Sequence, residues 1–260
     1  MSMPLPHIDY KITLQLASVG FSFPGRRTLF TDISFDLKSN RTYALVGSNG
    51  VGKTTLFNLI SGFHTARSGS ILLRGKSISG LRPFKINRAG VGRTFQDLRL
   101  IGRLSVRENV LLAMPNNATD HWVKGLLPQS LFRSAQRHME SEADKVIADY
   151  CLWDIQDSFP REISFGQQKL LSLACCVANG ADVILLDEPV AGISATYKDR
   201  IASLLSRLKS KGKTILMIEH DLDFVERTAG EFLLLSDGNM HRFDNLKALT
   251  ESDVAVRTYG

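Results

Sequence analysis

The sequence predicts an α/β fold built on a mostly parallel sheet and interrupted once by a helical segment. Three observations carry that expectation. Short, nearly all-apolar runs at residues 43–46, 183–186 and 214–218 read as strands covered on both faces. Helical patterns at residues 53–61 and 195–211 follow the first two runs, so strands and helices alternate as crossover connections between parallel strands require. Between about residues 87 and 161 the chain instead turns polar and helix-rich. A length of 260 residues suits one large domain, or one core with a subdomain grafted onto it. We divide the chain as a single domain over 1–260. Residues 1–86 and 162–260 form the core and a β subdomain, and about 87–161 the helical subdomain.

The first third reads as strands and turns. Residues 14–19 alternate loosely, and Pro24-Gly25 marks a turn. Residues 32–37 alternate polar and apolar, as in a half-buried strand. After the run at 43–46 comes a glycine-rich turn and then the helical pattern from Lys53 to Ser61. In the helical segment, charges recur at helical spacing from Arg133 to Asp149, and Pro115, Pro128 and Pro160 punctuate it. In the helix at 195–211, Ile201, Leu204, Leu205 and Leu208 share one face. The run at 232–235 is followed by Asp237-Gly238, a hairpin turn. No internal repeat or low-complexity segment is present.

The strongest single motif is Gly47-Ser48-Asn49-Gly50-Val51-Gly52-Lys53-Thr54. It fits G-x-x-x-x-G-K-[ST] and lies between a buried strand and a helix, the context that motif requires. Its glycines let backbone N–H groups turn inward around phosphate oxygens, and the helix N-terminus adds partial positive charge. Lys53 can reach the β- and γ-phosphates of a nucleotide. The Thr54 hydroxyl is placed to ligate Mg²⁺, and Thr55 can reach a more proximal phosphate. No Asn-Lys-x-Asp sequence for reading guanine occurs.

Asp187 and Glu188 follow the apolar run at 183–186. In open α/β sheets, ligands sit at the carboxyl ends of strands. There Asp187 is expected to hold Mg²⁺ through its water shell. Glu188 would polarise an attacking water as general base, worth about 10²–10⁴-fold in rate. Upstream, Ile163-Ser164-Phe165-Gly166-Gln167-Gln168-Lys169 leads into an apolar helix. Ser164 and Gln167 fit a capping box, whose N-cap residue is worth about 0.5–2 kcal/mol.

The phosphate loop, Gln96, the run at 163–169, the Asp187-Glu188 pair and His220 stand in one order along the chain. It is the order of motifs in the ABC ATPases, whose signature is usually written L-S-G-G-Q, and the chain resembles that family over nearly its whole length. Phe165 departs from that signature. An aromatic there resembles the ATPase subunits of branched-chain amino-acid importers. So do Arg93-Thr94-Phe95-Gln96, Arg107-Glu108-Asn109-Val110-Leu111 and the finish at Tyr259-Gly260. The resemblance implies a P-loop core with a mostly parallel sheet, an antiparallel β subdomain and an inserted helical subdomain. It implies that Ser164, Phe165, Gly166 and Gln167 form the signature, and that Ser164 and Gly166 contact the γ-phosphate of ATP held by another protomer. By the same resemblance Gln96 meets Mg²⁺ and the attacking water, and His220 hydrogen-bonds the γ-phosphate. Phe23 matches the aromatic that stacks on adenine, with Phe21 as its competitor. Most relatives carry a carboxylate or amide where this chain has Ser194, in a loop that crosses the dimer interface.

The function so implied is the ATP-hydrolysing subunit of an importer for branched-chain amino acids or similar small polar solutes. Its partners would be a second ATPase subunit, identical or related, separate permease subunits, and indirectly a solute-binding protein. An export or lipopolysaccharide-transport ATPase, and a soluble ATPase acting on nucleic acid or ribosomes, are the alternatives. Lys+Arg 32 against Asp+Glu 26 gives a net charge of +6, with no clustered basic run interleaved with aromatics, so no nucleic acid is expected. No stretch reaches the roughly 18 continuous apolar residues that span a bilayer, and residues 1–10 hold no apolar signal core. The expected place is peripheral, on the cytoplasmic face of the inner membrane. Three cysteines are too few for a disulfide framework, and Cys151, Cys175 and Cys176 are expected to pack as small apolar residues. Trp122, Val123, Leu126 and Leu127 read as subdomain core rather than as an exposed patch.

Overall fold

Two sheets of different character divide the strands. In the computed structural model, which describes residues 11–25, 28–96, 98–115 and 129–259, β1 (Ile12–Ser22) pairs antiparallel with β2 (Thr28–Lys38). Along β2, Phe30, Ile33, Phe35 and Leu37 are buried while Asp32 and Ser34 face outward, the half-buried pattern its alternation predicts. After β3 (Thr42–Val46) and α1 (Lys53–Ile60), β4 (Ser68–Leu73) and the short β5 (Lys76–Ser77) complete a four-stranded antiparallel sheet in the order β2-β1-β4-β5.

The second sheet supports the site. The helix α2 (Pro83–Ala89) leads to β6 (Val91–Arg93), and α3 (Val106–Ala113), α4 (Gln129–Asp149) and α5 (Phe165–Ala178) follow. The chain then alternates through β7 (Val183–Asp187), α6 (Ala195–Ser210), β8 (Thr214–Ile218), α7 (Leu222–Thr228), β9 (Glu231–Ser236) and β10 (Asn239–Phe243). It closes with α8 (Leu246–Thr250) and α9 (Asp253–Tyr259). Six strands lie in the order β10-β9-β3-β8-β7-β6. All neighbours are parallel except β9 and β10, a hairpin turning at Asp237 (φ 48°) and Gly238 (φ 74°). Two positive φ angles in a two-residue loop match the twist of paired strands.

Every residue of β3, β7 and β8 is buried, because both faces of this sheet are covered. Tyr43 and Leu45 join the core shared with the four-stranded sheet and α1. Ala44 and Val46, pointing the other way, pack into the core that holds residues of α3 to α7. On α6 the buried residues are Ile201, Leu204, Leu205 and Leu208, the face read from its periodicity.

Two expectations meet a different structure. The helical segment does not open near residue 87, since Val91–Arg93 pairs parallel with β7 inside the six-stranded sheet. A three-residue strand carries too little periodicity to be seen. Its middle residue is glycine, and a Cβ on Gly92 would stand 2.7 Å from the Cys176 carbonyl oxygen on α5. Cys176 is buried and Cys175 half-buried, as expected, but Cys151 is exposed. It sits with φ 57° just beyond α4, where the chain turns out of the helix. Trp122, Val123, Leu126, Leu127 and Gly260 lie outside the described residues. Among the described residues no helix is long and apolar enough to cross a membrane.

Candidate active site

The carboxyl ends of the parallel strands β3, β8 and β7 lie along one edge of the sheet, and there Gln96, Glu188 and His220 come together. The loop from Gly47 to Gly52 turns sharply into α1. Gly47 (φ 149°) and Gly52 (φ 112°) are required: a Cβ would stand 2.5 Å from the Leu235 carbonyl oxygen at the first and 2.7 Å from the Phe30 ring at the second. Helix α1 has no side-chain cap and no acidic residue in its first turn, so its N-terminal N–H groups face the loop without a protein anion. Ser48, Asn49, Gly50 and Val51 form the partly exposed rim. Lys53 is buried, and its Nζ donates to the carbonyl oxygens of Gly47 at 2.7 Å and Ser48 at 3.0 Å. Burial pulls this ammonium below its ordinary range, while Glu188 and Asp187 draw it back. Thr54 is exposed and Thr55 half-buried on the first turn of α1.

At the end of β7, Asp187 is buried and accepts from Arg93 Nη2 at 3.3 Å. Burial pushes its carboxyl above the ordinary carboxylate range, opposed by Arg93. Arg93 is fixed in turn by donating to Asn58 Oδ1 at 2.7 Å and Ser61 Oγ at 2.9 Å, both contributed by α1 and its end. The next residue, Glu188, holds φ at 49°, an uncommon angle for a side chain with a Cβ. Its N–H donates to the Ile218 carbonyl at 2.9 Å, and its own carbonyl accepts from Lys169 Nζ at 2.7 Å. The Glu188 carboxylate accepts from Gln96 Nε2 at 3.4 Å and lies 3.7 Å from His220 Nε2. Gln96, Glu188 and His220, predicted from separate parts of the chain, are therefore neighbours. The arrangement offers a carboxylate flanked by an amide and an imidazole beside an anion-ready helix end, which suits water attack on a phosphoryl group.

The run at 164–167 opens α5 as a true capping box. Gln167 N–H donates to Ser164 Oγ at 3.3 Å, and Ser164 N–H to Gln167 Oε1 at 2.8 Å. Phe165 is 47% exposed and Gly166 buried. Among the described residues no hydrogen bond joins 164–167 to the phosphate loop. Phe21 is buried in the core, whereas Phe23, just past β1, is half-buried at its edge. Both rings rest on His64, Phe21 stacked at 5.3 Å and Phe23 edge-on at 5.6 Å. Ser194 precedes α6 and makes no side-chain cap.

Four residues near the predicted ones escaped the sequence reading as site residues. They are Arg93 beneath Asp187, Lys169 on the Glu188 carbonyl, Tyr197 beside Ser164, and Glu219. The buried Glu219 carboxylate accepts from Val190 N–H at 2.8 Å and His220 N–H at 2.9 Å, tying the His220 loop to the loop after Glu188. A charged residue inside or beside an apolar run was the available signal for Lys169 and Glu219. Tyr197 carried none.

The ABC transporter family model matches residues 30–191. The chain is 32% identical over 229 residues to the high-affinity branched-chain amino acid transport ATP-binding protein LivG of Escherichia coli, covering 88% of this chain and 90% of that protein. It is 31% identical over 207 residues to the corresponding protein BraF of Pseudomonas aeruginosa, covering 79% and 81%. Among solved structures it is similar to a nucleotide-free ATP-binding cassette from an ABC transporter, with a TM-score of 0.81 and 26% identity over 96% of this chain and 99% of the other. An ATP-binding cassette in its ADP conformation gives a TM-score of 0.79 at 25% identity, covering 95% of this chain and 98% of the other. With an anion-ready loop, a carboxylate at the neighbouring strand end and this likeness along the chain, the protein belongs to the ABC transporter family, as one of its nucleotide-binding ATPase subunits.

Proposed function

We propose that this chain powers import of branched-chain amino acids or similar small polar solutes, docked on separate permease subunits at the cytoplasmic face of the membrane. The similarity to LivG and BraF over most of each chain carries the choice of solute. A second ATPase subunit completes the sites, and a solute-binding protein delivers the cargo; no nucleic acid takes part. The permease contact is assigned to the cleft of about 380 Å³ between β6 and α3, where Ile101 and Leu112 expose apolar surface.

Residues 47–55 hold the phosphates, with Lys53 as their cation, and Phe23 supports the adenine. Phe23 is preferred to Phe21 because Phe21 is already buried. The hydroxyl of Thr54, the carboxylate of Asp187 and the amide of Gln96 form a small oxygen set. Such a set suits Mg²⁺, which takes few protein ligands and keeps phosphates and waters for the rest. When bound, the ion neutralises charge on the β- and γ-phosphate oxygens. Glu188 takes the proton of the attacking water at its carboxylate, Gln96 orients that water, and His220 donates towards the γ-phosphate. Ser164 and Gly166 reach the γ-phosphate held by the partner subunit, with Phe165 and Gln167 shaping that helix tip.

Affinity purification of the chain from its native membrane tests the assignment. Permease subunits and a second ATPase subunit should co-purify, and transport assays of the purified assembly should show uptake of branched-chain amino acids driven by ATP. Glu188→Gln should bind ATP and lose hydrolysis by at least ~10²-fold. Recovery of ribosomal partners without permease subunits, or normal turnover by the variant, would contradict it.

A further inference from the structure

Tyr197 lies on the first turn of α6, outside every motif described so far. Its hydroxyl is 3.2 Å from Ser164 Oγ. Its ring covers Gly166 so closely that a Cβ there would stand 2.5 Å from it. The Arg200 guanidinium also lies over this ring, 5.4 Å from the centroid. The tip of α5 is braced a second time by Phe165, whose ring lies 3.3 Å from where a Cβ on Gly192 would stand. The glycine of the signature is thus needed within this chain to admit Tyr197.

The hydrogen-bond inventory of Ser164 sets what the tyrosine does. A serine hydroxyl has one proton to give and two lone pairs to accept with. One lone pair already accepts from Gln167 N–H. If Ser164 gave its proton to Tyr197, it would have none for a ligand. If Tyr197 donates instead, both lone pairs are filled and the serine proton is left for an outside acceptor, such as a phosphate oxygen.

We propose that Tyr197 is a positioning residue for the signature, donating its hydroxyl proton to Ser164 so that the serine proton points at the γ-phosphate held by the partner subunit. This rests on the shared-site reading given above, and the experiment separates the two. Tyr197→Phe keeps the ring against Gly166 and removes only the hydroxyl. In a Glu188→Gln background, ATP-dependent dimerisation is measured by sedimentation for four proteins: unchanged, Tyr197→Phe, Ser164→Ala, and both together.

Ser164→Ala should weaken the dimer, and Tyr197→Phe should weaken it about 3–10-fold, the range of one hydrogen bond. In the Ser164→Ala background, Tyr197→Phe should change the dimer less than 2-fold, because its acceptor is gone. Equal losses in both backgrounds would show a packing role and overturn the proposal. A normal dimer from Tyr197→Phe beside a weakened one from Ser164→Ala would overturn it while leaving the shared site intact. A normal dimer from Ser164→Ala would overturn both.

Discussion

Lys53 is a buried cation whose nearest partners are carbonyl oxygens, and that unusual pairing makes it the most informative single residue. Two carbonyls give an ammonium less than a carboxylate or phosphate would, so an arriving anion improves its surroundings. Lys53→Ala should therefore weaken nucleotide binding by at least ~10-fold, read by titration with a fluorescent ATP analogue. Unchanged affinity would remove the loop from the nucleotide site. The shape of this loop, between β3 and α1, was legible because its residues are contiguous and match one short motif. Lys169, Glu219 and Tyr197 were not, because their partners lie 19, 29 and 33 positions away and no local pattern announces such pairs. In sequence, Phe23 was preferred to Phe21 only through its match to the family's aromatic. Burial separates them, and burial belongs to the folded chain.

At the scale of elements, β3 shows how the two sheets are joined. Tyr43 is fully buried and its hydroxyl accepts from the Lys38 N–H at 2.8 Å, pinning the end of β2 to the central sheet. Burial pushes this phenol from 10.0 up to about 12. Below pH 10 it is neutral in both folded and unfolded chains. As pH rises from 10 through 12 the unfolded chain loses the proton first, so stability is lost across that window, by about 3 kcal/mol when complete. Urea midpoints should fall more steeply above pH 10 for the native sequence than for Tyr43→Phe; parallel profiles would place the alkaline loss elsewhere. Strands of five or more residues flanked by helices were readable from their apolar runs, as was the Asp237-Gly238 turn. The strands β4, β5 and β6 were not: β5 and β6 are two and three residues long, and β4 opens on Ser68-Gly69-Ser70 with only its last three residues apolar.

At the scale of the whole molecule, the phosphate loop opens α1 and the signature run opens α5, and among the described residues no hydrogen bond joins the two. On the shared-site proposal, a second copy or a related chain completes the site. Ser164→Arg should leave ATP binding by the single chain in place and block ATP-driven dimerisation in a Glu188→Gln background, seen as a monomer peak in sedimentation. An active Ser164→Arg protein would refute the shared arrangement. The lysine on α5 gives this assembly a further property. Lys169 grips the main chain of Glu188 at the point where the backbone already holds a left-handed turn. The helix whose tip would greet one nucleotide is thereby moored to the residue that would cleave another. On the shared-site proposal, tilting that helix would tug on the mooring, giving one phosphate's departure a mechanical route to the opposite pocket.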